Sequence, residues 1–178
     1  MPRRMRSPTV VILVDHGFVS GGQSKVAIES TLGLAAAGAR PIFFCACGPV
    51  DPRLPQAGVE TICLDQPDIL DNPSRAAAAV QGTWNAKAAA AVAELLARLP
   101  RENSIVHAHG WAKALSPSIA RPIRASKLPA VYTMHEYFLA CPNGGFYNFQ
   151  KQAVCTVKAM SAACWATNCD SRNYPFKL

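Results

Sequence analysis

Short apolar runs alternate with stretches of helical period along most of the chain. Residues 9–14, Thr-Val-Val-Ile-Leu-Val, form an unbroken run rich in β-branched side chains, as in a strand buried on both faces of a parallel sheet. A loop follows, residues 15–22. From Gln23 the period becomes helical, with Val26, Ile28, Leu32, Ala35 and Ala36 on one side and Gly38 closing the element. Residues 41–46 and 59–64 read as a second and third strand, and residues 73–99 hold a long helix rich in Ala and Leu that ends near Pro100. A fourth strand is expected over 104–108, a helix interrupted at Pro117 and Pro122 over 112–127, and a fifth strand over 130–134. Residues 136–151 are irregular. Strands alternating with helices predict βαβ units with right-handed crossovers: an α/β, Rossmann-like, mostly parallel sheet with helices on both faces. No repeat or flexible linker divides the chain, so the expectation is a basic tail (residues 1–8) followed by one domain (9–178). Asp170-Ser171 reads as a helix N-cap with only about two turns of chain after it, which implies a polypeptide cut from something longer.

Half of the 178 residues are apolar and 16 % are charged, which excludes a disordered or low-complexity chain. The longest aliphatic run is far too short to span a bilayer, and the Ala-rich stretch is broken by Gln81, Thr83, Asn85, Lys87 and Glu94. No secretory signal is read at the N-terminus. The net charge of +7 suits a polyanionic partner, either nucleic acid, a membrane surface or a phosphorylated ligand. The cations are scattered and carry no nucleic-acid motif, so no nucleic-acid partner is expected. Seven cysteines, an odd number, argue against a secreted disulfide framework and for the cytoplasm.

In an open parallel sheet, ligands bind beyond the carboxyl ends of the strands, and the informative residues cluster there. After the first strand, Gly21-Gly22 precedes a helix whose free N–H groups and positive dipole end favour an anion. The pair is neither a dinucleotide fingerprint nor a P-loop, and a plain tight turn would also account for it. After the fourth strand comes His107-Ala-His109-Gly110. Alternation puts both histidines on one face, with His109 nearer the ligand edge and His107 the better candidate for the core. After the fifth strand, His135-Glu136 can bond a polar ligand, serve acid–base chemistry, or simply shape a turn. Cys141, Cys155, Cys164 and Cys169 could enclose a structural zinc, but none has the tight spacing of a zinc ribbon, and buried thiols or a disulfide are the alternatives.

Taken in order, Gly21-Gly-Gln-Ser-Lys-Val-Ala27, Leu32-Gly-Leu-Ala-Ala-Ala-Gly38, Ile105-Val-His-Ala-His-Gly-Trp111 and Thr133-Met-His-Glu-Tyr-Phe138 resemble the N-terminal half of family 4 glycosyltransferases of the GT-B fold. Residues 141–172 look like a cysteine-bearing insertion of a bacterial subset. The resemblance implies retaining transfer of a sugar from a nucleotide-sugar donor to a saccharide or lipid-linked acceptor. No cofactor is required. Gly21 and Gly22 would lie near the donor diphosphate, His135 would contact the donor sugar with Glu136 beside it, and His109 and Gly110 would line the acceptor side. The family's donor-binding C-terminal domain, with its paired glutamates, is absent from these residues, which implies an inactive half-site. Polysaccharide biosynthesis at the inner face of a membrane fits the charge. The alternative is a non-catalytic module binding a nucleotide or phosphorylated ligand.

Overall fold

The computed structural model describes residues 7–172 and 174. Most of the basic tail, and the helix expected after Ser171, lie outside the described residues. The chain packs as two compact units, Met1–Thr133 and Met134–Leu178.

The first unit is a five-stranded sheet of β1 (Thr9–His16), β2 (Arg40–Cys47), β3 (Glu60–Cys63), β4 (Ser104–Ala108) and β5 (Ala130–Tyr132). The strands run in the order β3-β2-β1-β4-β5, and every pairing is parallel. All of β1 is buried, as its unbroken apolar run requires. Val11 and Leu13 face one side with Ile42, Phe44 and Val106, under α4 (Ala86–Ala97) and α5 (Ala120–Ser126). Val10, Ile12 and Val14 face the other side with Phe43, under α1 (Gly22–Ala36) and the short α2 (Arg53–Gln56). Phe43 and Phe44 alternate into opposite layers and are both fully buried. Each such side chain contributes about 1.5–3 kcal/mol of transfer free energy.

The long helix expected over 73–99 is two helices, α3 (Arg75–Thr83) and α4, with Trp84 extended between them. Asn85 causes the break. Its Oδ1 accepts the Ala88 N–H at 3.0 Å, an N-cap bond. Its own N–H donates to Ser116 Oγ at 2.8 Å and its Nδ2 to the Ala114 carbonyl at 2.7 Å. Continuing the helix would remove all three bonds. The proline-interrupted stretch becomes a 3-10 turn (Pro117–Ile119) leading into α5, where Pro122 occupies the first turn and no intrahelical N–H is lost.

The second unit is largely irregular, with a two-residue antiparallel ladder, β6 (Tyr147–Asn148) with β7 (Ala153–Val154), and a short α6 (Ala162–Ala166). Asn143 organises it. Its Nδ2 donates to the Tyr147 carbonyl at 2.8 Å and the Cys169 carbonyl at 3.1 Å, while its Oδ1 accepts the Gly145 N–H at 3.1 Å. Among the described residues no helix is long and apolar enough to cross a membrane.

Candidate functional site

The strand order reverses between β1 and β4, so the crevice beyond their carboxyl ends is the topological switch point of the sheet. Two of the motifs singled out above meet there.

Beyond β1, the Gly17 N–H donates to the Cys47 carbonyl at 2.8 Å and the Gly17 carbonyl accepts the Asp51 N–H at 2.7 Å. A Cβ on Gly17 would lie 2.9 Å from Cys45 Sγ and 3.0 Å from the Pro49 carbonyl oxygen, so close approach requires glycine here. The loop then turns into α1 through Ser24, whose Oγ accepts the Ser20 N–H at 2.9 Å and donates to the Gly21 carbonyl at 3.2 Å. Gly21 is the N-cap and supplies no side-chain cap, so the first turn of α1 stays open. A Cβ on Gly21 or Gly22 would meet nothing within 4 Å. The protein's own packing therefore does not demand glycine at either position, and the space above them is clear for a ligand.

Beyond β4, the His109 N–H donates to the Leu13 carbonyl at 2.8 Å, extending the pairing with β1. His109 is buried at 1 % exposure, whereas His107 is only half-buried, the reverse of the expected ranking. The rings stack at 4.1 Å between centroids, and His107 Nε2 bonds Thr133 Oγ1 at 2.8 Å. Gly110 is buried as well, beneath the Gln23 carboxamide. The His109 carbonyl accepts Gln23 Nε2 from α1 at 2.7 Å.

Two acidic residues brace the crevice. Asp15, 1 % exposed, accepts the backbone N–H groups of Lys113, Ala114 and Leu115 at 3.2, 2.9 and 2.9 Å, fastening the loop after β4 to the end of β1. Burial pushes its carboxyl up from the usual range, and the three N–H donors oppose that shift. Asp68, from the loop after β3, bonds His16 Nε2 through Oδ2 at 3.0 Å and accepts the Leu70 N–H through Oδ1 at 2.8 Å. The Ile69 N–H donates to the Lys113 carbonyl at 2.9 Å, so the loops after β3 and β4 are also joined to each other. Sequence reading did not single out Gln23, Asp15, His16 or Asp68 as site residues. Asp15 and His16 stand in the strand-end motif, but nothing local marks their distant partners.

The remaining candidates lie in the second unit. His135 and Glu136 are half-buried in a bend at its start. Cys141, Cys164 and Cys169 are buried and Cys155 is half-buried. Cys141 Sγ donates to Asn143 Oδ1 at 3.0 Å, and Asn143 Nδ2 donates to Cys169 Sγ at 3.3 Å, so these two thiols are served by one carboxamide. Among the described residues no three His, Cys, Asp or Glu side chains come together to hold a metal ion.

The model of the family described as "Glycosyl transferase 4-like domain" matches residues 21–164, from the glycine pair through the third of the four cysteines. Among solved structures, a glycosyltransferase from Rickettsia africae ESF-5 superposes with a TM-score of 0.51 at 22% identity, over 74% of this chain and 31% of that one. The chain thus spans about a third of the length of that relative, and the likeness shows a shared fold. A universal stress protein family member from Burkholderia pseudomallei aligns with a TM-score of 0.32 at 15% identity, over 71% of this chain and 95% of that one, too low to bear on the fold. No curated protein matches. With its parallel sheet in Rossmann order and a family match over most of its length, the chain belongs to the glycosyl transferase 4-like domain family.

Proposed function

We propose that this chain is the acceptor-side half of a retaining glycosyltransferase that moves a sugar from a nucleotide-sugar donor to a saccharide or lipid-linked acceptor. One observation supports the reading: the uncapped Gly21–Gly22 turn at the N-terminus of α1 meets the chain just beyond β4 at the switch point of the sheet. The α1 terminus has no side-chain cap and offers the positive end of a 15-residue helix dipole, suited to the donor diphosphate. Charge builds on that diphosphate as the glycosidic bond to it breaks, so donors fixed beforehand favour the transition state over the ground state. His109 and Gly110 lie, by resemblance, on the acceptor side. By resemblance, His135 contacts the donor sugar, with Glu136 beside it. No metal or organic cofactor enters the reaction. On this reading a second, donor-binding half completes the site, and the chain by itself does not transfer sugar. The charge of +7 suits peripheral attachment to the inner face of a membrane, where polysaccharide precursors are built.

A transfer assay with a panel of labelled nucleotide sugars tests this. The chain alone should give no transfer above a His135→Ala control. Joined to a donor-binding half, it should transfer sugar with the anomeric configuration kept. Transfer by the chain alone, or an inverted product, would contradict the reading. Nucleotide binding without transfer across a broad acceptor panel would favour a binding module instead.

A further inference from the structure

Gln23 stands in the first turn of α1, yet its side chain ends on His109 just beyond β4, 86 residues away in sequence. The carboxamide lies directly over the α-carbon of Gly110. A Cβ at position 110 would overlap Nε2 and Cδ and lie 2.9 Å from Oε1. The bond from Nε2 to the His109 carbonyl, at 2.7 Å, is short for a neutral amide pair and partly buried. It crosses the switch point and joins the start of α1 to the chain just beyond β4. We infer that Gln23 is a positioning residue. It sets the gap between the Gly21–Gly22 turn and the end of β4, and Gly110 is glycine because any side chain there would displace it.

The carboxamide is the flexible end of a side chain, so a Cβ at Gly110 can push it aside without disturbing the backbone. Gly110→Ala therefore removes the bridge and leaves the sheet intact. It acts through Gln23, and the two substitutions are not independent. Set at the wrong distance, the open turn of α1 holds an anion less well, because such charge-assisted bonds depend on placement.

This inference rests on the diphosphate reading above, and inorganic pyrophosphate is the probe. Its affinity for the full chain is measured by calorimetry in the wild type, Gln23→Ala, Gly110→Ala and the double variant. Each single variant should bind about tenfold more weakly, the size of one net hydrogen bond, and the double variant no more weakly than either. Thr31→Val, which removes a buried bond from Thr31 Oγ1 to the Ala27 carbonyl in the same helix, is the structural control. It should lower the melting temperature and leave affinity unchanged. Wild-type affinity in Gln23→Ala, or multiplying losses in the double variant, overturns the positioning role alone. Equal loss in Thr31→Val reduces it to helix stability and overturns it as well. No binding by the wild type overturns the diphosphate seat and this inference together.

Discussion

Asp15 Oδ1 accepts the amide N–H of Leu115 at 2.9 Å, closing a link between residues 100 apart in sequence. With the bonds from Lys113 and Ala114 it makes one carboxylate the anchor of a whole loop. The carboxylate stays paired at each of its oxygens, which offsets the cost of burying it. That loop in turn presents Ser116 and the Ala114 carbonyl to Asn85, and so splits α3 from α4.

Asp15→Ala leaves three N–H groups without their acceptor in a buried place. The unfolding free energy should fall by about 3 kcal/mol, with water recovering part of the loss. Asp15→Asn, which keeps one acceptor oxygen, should lose less. Urea denaturation measures both. A loss below about 1 kcal/mol for Asp15→Ala would mean the loop is held by other contacts.

Two glycines should respond in opposite directions. Gly17→Ala forces a Cβ against Cys45 Sγ and the Pro49 carbonyl, and backbone cannot step aside as a side-chain tip can. It should cost about 1–3 kcal/mol. Gly33 lies exposed within α1, where a Cβ meets nothing. Gly33→Ala should stabilise the chain by about 0.5–1 kcal/mol, because alanine has less backbone freedom to lose in a helix. Thermal melts of the two variants moving in the same direction would contradict this placement.

Burial pushes the Cys47 thiol up to about 12, with the charges of Asp15 and Asp68 adding to it. Cys45, beside Cys63 across β2 and β3, is raised by burial as well. A thiol whose folded value lies above its unfolded value of 9.0 contributes stability that is fully present below pH 9. That contribution is lost as pH rises through about 12. Unfolding free energy should therefore decline from pH 9 upward, and less steeply in Cys47→Ala. At pH 8 iodoacetamide should spare Cys45 and Cys47 in the folded chain and modify both in urea. Equal rates in the two states would show that the ends of β2 and β3 are open to solvent.

The fold was legible because β1 and β2 carry continuous apolar runs, as strands buried on both faces do, and because the strands alternate with helical stretches. The ends were less so. Asp15 and His16 extend β1 past the last apolar residue, because β2 pairs with it as far as Cys47. The break at Asn85 sits between two alanine-rich stretches that read as one helix, and its cause lies on a loop about thirty residues further on. Pro55 hid α2, although a proline in a single turn breaks no intrahelical bond. The glycine pair and His109–Gly110 stand at strand ends, where the pattern of apolar runs already points to them. Gln23 has no such mark, since a polar residue in the first turn of a helix is ordinary until its partner is known. In the second unit, hydrogen bonds from Asn143 take the place of periodicity, and a pattern of hydrophobic positions has little to read.

The central claim is that the crevice between β1 and β4 receives the donor diphosphate. Its most direct test is a titration of the isotopically labelled chain with uridine, guanosine and adenosine diphosphates, followed by the backbone amide resonances. The account predicts saturable shifts at Gly21, Gly22, Gln23 and Ser24, with Gly110 following because the Gln23 carboxamide lies over it. Shifts confined to residues outside this crevice, or none with any of the three, would contradict it.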